Sequence, residues 1–179
     1  MADMGAEVIK IEPPSGEPGR RLAPFIQDKP SLDSSLPFFY LNSNKKGITI
    51  NLKTENGISI LKDFIKKTDV IIENFSPGTL NNLGIGYDTI HSINPSAVVV
   101  SISNFGQTGP YKDYKATEII EYALGGLMGI FGAYDKPPIK HALNQAQIKA
   151  GTNAANAALM AVYWSKLNGK GQHIDVSIH

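Results

Sequence analysis

The feature that most narrows the fold is the alternation of short apolar strands with helices. Residues 97–105, AVVVSISNF, are rich in β-branched side chains and form the clearest strand. Residues 69–75, DVIIENF, read as a second, buried strand with few polar interruptions. Further strands are expected at 6–12 (AEVIKIE), 47–52 (GITINL) and 173–178 (HIDVSI). Helices separate them. One spans 55–67, capped by Thr54, with Ile58, Leu61 and Ile65 on one apolar face. A short one lies in PGTLNNLG, with Pro77 at its start and Gly84 at its end, and another in YDTIHSIN. A helix over 117–132 is softened by Gly125 and Gly126, and a long one covers 145–167. LPFFYLNSNKK, 36–46, predicts one or two helical turns with aromatics packed inward. Strands apolar on both faces, alternating with helices, define an α/β class: an open parallel sheet with helices on both faces.

In such sheets ligands bind beyond the carboxyl ends of the strands. Two segments stand there, ENFSPG (73–78) and SNFGQTGP (103–110), each with Asn-Phe directly after a strand. The loop 13–37, rich in Pro, Gly, Ser and charge, is longer than loops without a function usually are. No GxGxxG and no GxxxxGK[ST] follows a strand, so dinucleotide and P-loop chemistry have no motif to rest on. A net charge of +1 gives no field that would draw nucleic acid or an anionic membrane. There are no cysteines, and the four histidines show no metal-ligand spacing. No apolar run approaches the roughly 18–20 residues of a membrane span. The start carries no signal segment, so a cytoplasmic location is the expectation.

Both ends look cut. MADMGAEVIKIE reads as the last turn of a helix, a Gly5 stop and then a strand. GQHIDVSIH stops inside a strand. The expectation is a piece of a longer chain, poorly soluble alone because its sheet would expose an edge. Two glycines and a lysine in GKGQ offer a phosphate grip. A helix stop at Gly169 followed by a tight turn is the preferred reading, because the site lies where a strand begins. Asp175 is read as structural and His141 as a lone surface histidine.

Four strings taken together carry a resemblance: ADMGAEVIKIEPP, LNSNKKGITINLKTENG, DVIIENFSPGTLNNLGIGYDTIHSINPSAVVVSISNFGQTGPY and GKGQHIDVSI. They resemble family III CoA-transferases, the family of formyl-CoA and carnitine-CoA transferases, with acyl-CoA racemases as relatives. The resemblance runs in order along nearly the whole chain. It implies a Rossmann-like CoA-binding α/β domain, here without its first strand and helix, and a smaller second domain. It also implies an interlocked dimer, with coenzyme A or acyl-CoA as substrate beside a carboxylic acid and no permanently bound cofactor. By resemblance, Ile50 and Lys53 lie along the nucleotide. Asn74, Phe75 and Thr79 line the adenine and pantetheine path, and Lys115 is near CoA. Pro13 and Asn82 stand where well-studied members carry arginines, so phosphate contacts must differ. Lys45, Lys46 and Arg20–Arg21 are the candidate substitutes.

The family's nucleophile is an Asp at the start of the long small-residue helix. Counting back from GKGQ and forward from YDKPP both put Gln147 at that position, and no Asp or Glu occurs from Lys136 to Ile174. An amide cannot form the anhydride and thioester series, although it can donate to a thioester carbonyl. Glu118 falls where relatives often have Asp, and its role is read as not nucleophilic. A racemase reading is weaker, because Thr117 and Gln147 replace the His and Asp of its proton-transfer pair. Three readings stay open. The first is a transferase subunit whose Asp-bearing paralogue supplies the nucleophile. The second is an active transferase with a displaced nucleophile. The third is a non-catalytic acyl-CoA-binding protein.

Overall fold

The computed structural model describes residues 1–179, which divide into two compact units, Met1–Leu61 and Lys62–His179. In the first, β1 (Val8–Glu12) pairs in parallel with a second strand, Val8 opposite Lys45 and Glu12 opposite Thr49. A parallel pair needs a crossover. Residues 13–44 supply it, as a loop followed by α1 (Leu36–Leu41). The second strand, β2 (Lys45–Thr49), starts and stops earlier than the expected 47–52. Its bonded length matches β1, and a turn then begins in which Thr54 N–H donates to the Asn51 carbonyl. Gly5, with φ of 96°, closes a short turn ahead of β1 as expected.

The loop 13–35 is organised by one arginine. Arg20 Nε donates to Glu12 Oε2 at 2.6 Å and Nη2 to Glu12 Oε1 at 2.9 Å. Its Nη1 donates to Asp33 Oδ1 at 2.9 Å and to the Leu32 carbonyl at 3.0 Å. The planar fork matches a carboxylate in two bonds, which a lysine could not do. Its flat face lies 4.0 Å above the Phe38 ring. Ser35 finishes the loop: its hydroxyl donates to the Leu22 carbonyl at 2.7 Å and accepts from Phe38 N–H, capping α1. The aromatics of α1 do not all pack inward. Phe38 sits under Arg20, whereas Phe39 and Tyr40 are 51% and 82% exposed. Next comes α2 (Glu55–Ile65), two residues shorter than expected. It starts where Thr54 Oγ1 accepts from Gly57 N–H at 3.1 Å. Gly57 is required there, because a Cβ would lie 2.0 Å from the Asn51 carbonyl oxygen.

The second unit is built on a three-stranded parallel sheet. Its strands are β3 (Val70–Glu73), β4 (Val98–Ser103) and β5 (His173–Ser177), with β4 in the centre. Val98, Val99 and Val100 are buried to 1% exposure or less, each stabilising by roughly 2 kcal/mol. β3 is not buried on both faces. It is an edge strand of this sheet, and Ile72 is 52% exposed. After it comes α3 (Thr79–Asn82), which starts behind a left-handed Gly78, so Pro77 lies ahead of the helix and not in its first turn. α4 (Tyr87–Ile93) buries Ile90. α5 (Glu118–Leu124) ends at Gly125, and Leu127–Ile130 forms a separate tight turn behind Gly126 at φ of 80°. The expected 117–132 helix is therefore broken in two.

The long helix α6 (Gln145–Asn168) turns a stripe of Ala146, Ala150, Ala154, Ala158, Ala161 and Ser165 inward. Positions three and four apart share one face, and small side chains let the helix backbone come close. Ser165 Oγ donates to the Ser96 carbonyl at 2.6 Å. Gly169 ends α6 in the left-handed region. Gly171 N–H donates to the Pro95 carbonyl, and a Cβ on Gly171 would meet the Ala97 oxygen at 1.9 Å. GKGQ is thus a helix stop and a close approach. No helix is long and apolar enough to cross a membrane.

Candidate active site

The carboxyl ends of parallel strands are where backbone groups are free to face a ligand. In the first unit a cavity of about 270 Å³ lies past β1 and β2, lined by Glu12, Pro13, Gly16, Arg20, Leu32 and Thr49 among others. Pro13 is in its wall. Arg20 is also there, but its charge is committed to Glu12 and Asp33. The neighbouring carboxylates hold its guanidinium pKa above the usual value, and Arg20 in turn holds Glu12 below the usual carboxylate range. The other candidate phosphate ligands are engaged too. Lys46 pairs with Glu7, and Lys45 Nζ donates to the Leu41 carbonyl and Asn42 Oδ1. Arg21 donates to the Ser15 carbonyl. Ile50 is in the core at 7% exposure, while Lys53 is exposed and makes no ion pair.

In the second unit, Asn74 and Phe75 follow β3 directly and are exposed. Phe75 N–H donates to Glu73 Oε2 at 2.7 Å, which turns the chain out of the strand. Thr79 opens α3. Lys115 lies exposed ahead of α5 without an ion pair. The loop after β4 is held by β5. Asp175 Oδ2 accepts from Gln107 N–H at 2.8 Å, beside Gly106 at φ of 82°. Asp175 therefore has the structural part read for it.

Gln147 sits in the first turn of α6, and that turn contains no acid. Its side chain is exposed, and Asn144 Nδ2 donates to its Oε1 at 3.2 Å. Under the same helix start lies Glu118 of α5. Its Oε1 accepts from Ala146 N–H at 2.9 Å and its Oε2 from Gln147 N–H at 3.3 Å. The first amides of a helix lack intrahelical acceptors and carry partial positive charge, so a carboxylate there satisfies both needs. One turn further along α5, Glu121 is 2% exposed. Burial first, and then the charge of Glu118, push its carboxyl pKa above the usual range. Asn104 is assigned the amide orientation that satisfies both of its neighbours. Nδ2 then donates to Glu121 Oε1 at 3.0 Å and Oδ1 accepts from Ala116 N–H at 3.0 Å, whereas the opposite orientation sets oxygen against oxygen and N–H against N–H. His141 is exposed but not solitary. Its Nδ1 is hydrogen-bonded to the hydroxyl of fully buried Tyr122, and its ring is edge-on to Phe131 at 4.0 Å.

Sequence reasoning placed Gln147 and Glu118, put Glu121 on the same helix and Asn104 in the loop after a strand, but gave neither a role and missed the Glu121–Asn104 and Tyr122–His141 pairs. One signal for Glu121 was available. Two acids three positions apart in EIIEYAL share one helix face, which is notable when the intervening positions are isoleucines.

A parallel sheet with loops at its carboxyl edge, and a small-residue helix starting there, defines an α/β domain of the open, parallel-sheet class. The chain belongs to CoA-transferase family III, which matches residues 1–179. It is 40% identical over 178 residues to formyl-CoA:oxalate CoA-transferase of Streptomyces avermitilis, covering 99% of this chain and 42% of that one. It is 33% identical over 176 residues to succinyl-CoA:(R)-benzylsuccinate CoA-transferase subunit BbsE of Thauera aromatica, covering 98% and 43%. Among solved structures, a CAIB/BAIF family protein from Brucella suis superposes with a TM-score of 0.91 at 34% identity, covering 98% of this chain and 47% of that one. The chain thus spans a little under half the length of these relatives.

Proposed function

We propose that the whole protein moves CoA between an acyl-CoA thioester and a carboxylic acid. It does so as the subunit without the nucleophile, in a dimer with an Asp-bearing paralogue. One observation carries this reading. The first turn of α6 presents an exposed Gln147 and no acid, and both oxygens of nearby Glu118 are taken by backbone amides. The name of the Thauera aromatica relative, a subunit, supports it by analogy.

The chemistry proposed is the one the family resemblance implies. The partner's aspartate attacks the thioester carbonyl. A mixed anhydride forms, and CoA leaves as thiolate. The thiolate attacks the aspartyl carbonyl of the anhydride, giving an aspartyl-CoA thioester and the free acid. An acceptor carboxylate then runs the same steps in reverse. In this chain Asn144 occupies the carbonyl of Gln147, which leaves the Gln147 amide nitrogen as a donor at the helix start. A donor there can stabilise charge that develops on a thioester carbonyl oxygen. Lys53 and Lys115, free of ion pairs, are the cations proposed for CoA phosphates, with Asn74, Phe75, Thr79 and Ile50 along its path.

The test is to express the full-length protein alone and incubate it with a panel of acyl-CoA donors. Peptide mass spectrometry is then used to look for a CoA or acyl adduct on any carboxylate. The expected result is CoA binding without an adduct, with turnover appearing when the Asp-bearing partner is added. An adduct on this chain's own carboxylate overturns the division of labour. CoA binding with no turnover in any pairing turns the reading into that of a binding protein.

A further inference from the structure

α5 buries two acids beside Tyr122 and turns aliphatic side chains outward. Glu118 and Glu121 are buried at 9% and 2% exposure, while Ile119, Ile120 and Leu124 are 52%, 41% and 58% exposed. Burying two acids on one face without a cation is costly, because neither charge is neutralised by a salt bridge. Glu118 recovers part of that cost from the amides of Ala146 and Gln147. Glu121 makes no hydrogen bond to α6. Its Oε1 is met by Asn104 and its Oε2 has no partner.

Asn104 is fixed from several sides. Its side-chain oxygen accepts from Ala116 N–H just ahead of α5. Its backbone carbonyl accepts from His179 N–H at 3.1 Å and from Ser177 Oγ at 3.2 Å, at the end of β5. A continuous path of contacts therefore leads from the carboxyl edge of the sheet, through Asn104 and Glu121, along one turn of α5 to Glu118. From there it reaches the backbone of Gln147.

We infer that Asn104 and Glu121 are positioning residues: they fix the rotation and height of α5, so that Glu118 meets the α6 amides and Gln147 is held in place. The inference rests on the transferase reading only in taking Gln147 as the hydrogen-bond donor to the thioester. Burial and the Glu118 charge both favour the neutral acid at Glu121, in which form the pair adds no second negative charge beneath α6. A neutral isostere at 121 should therefore do the same work.

The test is amide hydrogen exchange read by mass spectrometry on the full-length protein. Glu121→Ala and Asn104→Ala are expected to speed exchange over residues 145–149 about fivefold, the scale of one lost hydrogen bond. Exchange over 154–165 is expected to stay unchanged. Glu121→Gln is expected to keep the parent rate throughout. If Glu121→Ala does not fold, Asn104→Ala and Glu121→Gln still decide. Parent-like exchange at 145–149 in the alanine variants overturns the inference. So does an even acceleration along all of α6, which loss of packing alone would give, and so does a Glu121→Gln protein that behaves like the alanine variant. Calorimetric titration of the parent with CoA tests the transferase reading separately. Binding without the exchange effect sinks only this inference, and the exchange effect without binding sinks only that reading.

Discussion

Each unit buries a glutamate at the carboxyl-end side of its sheet, and the two are handled in opposite ways. Glu12, at the end of β1, is 5% exposed and receives a two-bond fork from Arg20. Glu121, in α5, is 2% exposed and receives one amide from Asn104. Their carboxyl pKa values move accordingly, Glu12 below and Glu121 above the ordinary 4.5. Burial alone does not decide the charge state of a buried acid. The deciding quantity is whether an oriented cation repays the desolvation. The contrast also separates two uses. The Glu12–Arg20 pair holds a long loop in shape beside a cavity. The Glu121–Asn104 pair holds a helix in register with another helix start.

The largest effect that would break the contrast is loss of the cation in the first unit. Arg20→Ala leaves Glu12 buried and unpaired and releases Asp33 and Phe38 as well. It is expected to destabilise the full-length protein by about 3 kcal/mol in chemical denaturation. A cost near zero would mean that the loop is held elsewhere. The paired change Arg20→Met with Glu12→Gln removes both charges together, so no buried charge is left alone. It is expected to cost about 1 kcal/mol. A double variant as unstable as Arg20→Ala would show that the fork holds the loop by its shape, and that the stranded charge matters little.

How much of this was legible beforehand depends on the range of the interaction. β4 was evident from Val98–Val100, because a run of β-branched residues is a local signal. The caps at Thr54 and Gly169 were legible for the same reason. The edge position of β3 is not legible from DVIIENF, because the sequence of a strand does not record who sits beside it. Phe39 and Tyr40 face outward, against the inward packing expected, because Arg20 takes the inward face of α1 through Phe38, a contact across eighteen residues. The site divides along the same line. Gln147 follows from counting along one helix. Glu118 touches it from 29 residues away, and no periodicity announces such a pairing. Of the candidate phosphate ligands, Arg20 looked free in sequence and is the most committed cation in the first unit.

The smallest effect is the one that sharpens the comparison, since it reads the two acids by opposite slopes. A carboxyl whose folded pKa is lowered adds stability above the unfolded value, and that stability is lost as pH falls through the folded pKa. Glu12 therefore acts on the acid side, below 4.5. A carboxyl whose folded pKa is raised keeps its proton longer in the folded state than in the unfolded one. Its contribution is fully present below 4.5 and declines as pH rises from there through the folded pKa. Glu121→Gln removes that declining part. Denaturation midpoints of parent and variant, measured from about pH 5 to about pH 9, are expected to lie close together at the acid end. They are expected to separate towards the alkaline end, with the variant more stable by about 1 kcal/mol, the scale on which one ill-partnered buried polar group is felt. Glu12→Gln in the first unit is expected to show a constant deficit over that range, and one that shrinks only when the series is extended below 4.5. Parallel curves for parent and Glu121→Gln over the whole range would mean that Glu121 ionises in the folded protein as it does in the unfolded chain. Asn104 would then be compensating a charge that the geometry gives it no means to neutralise.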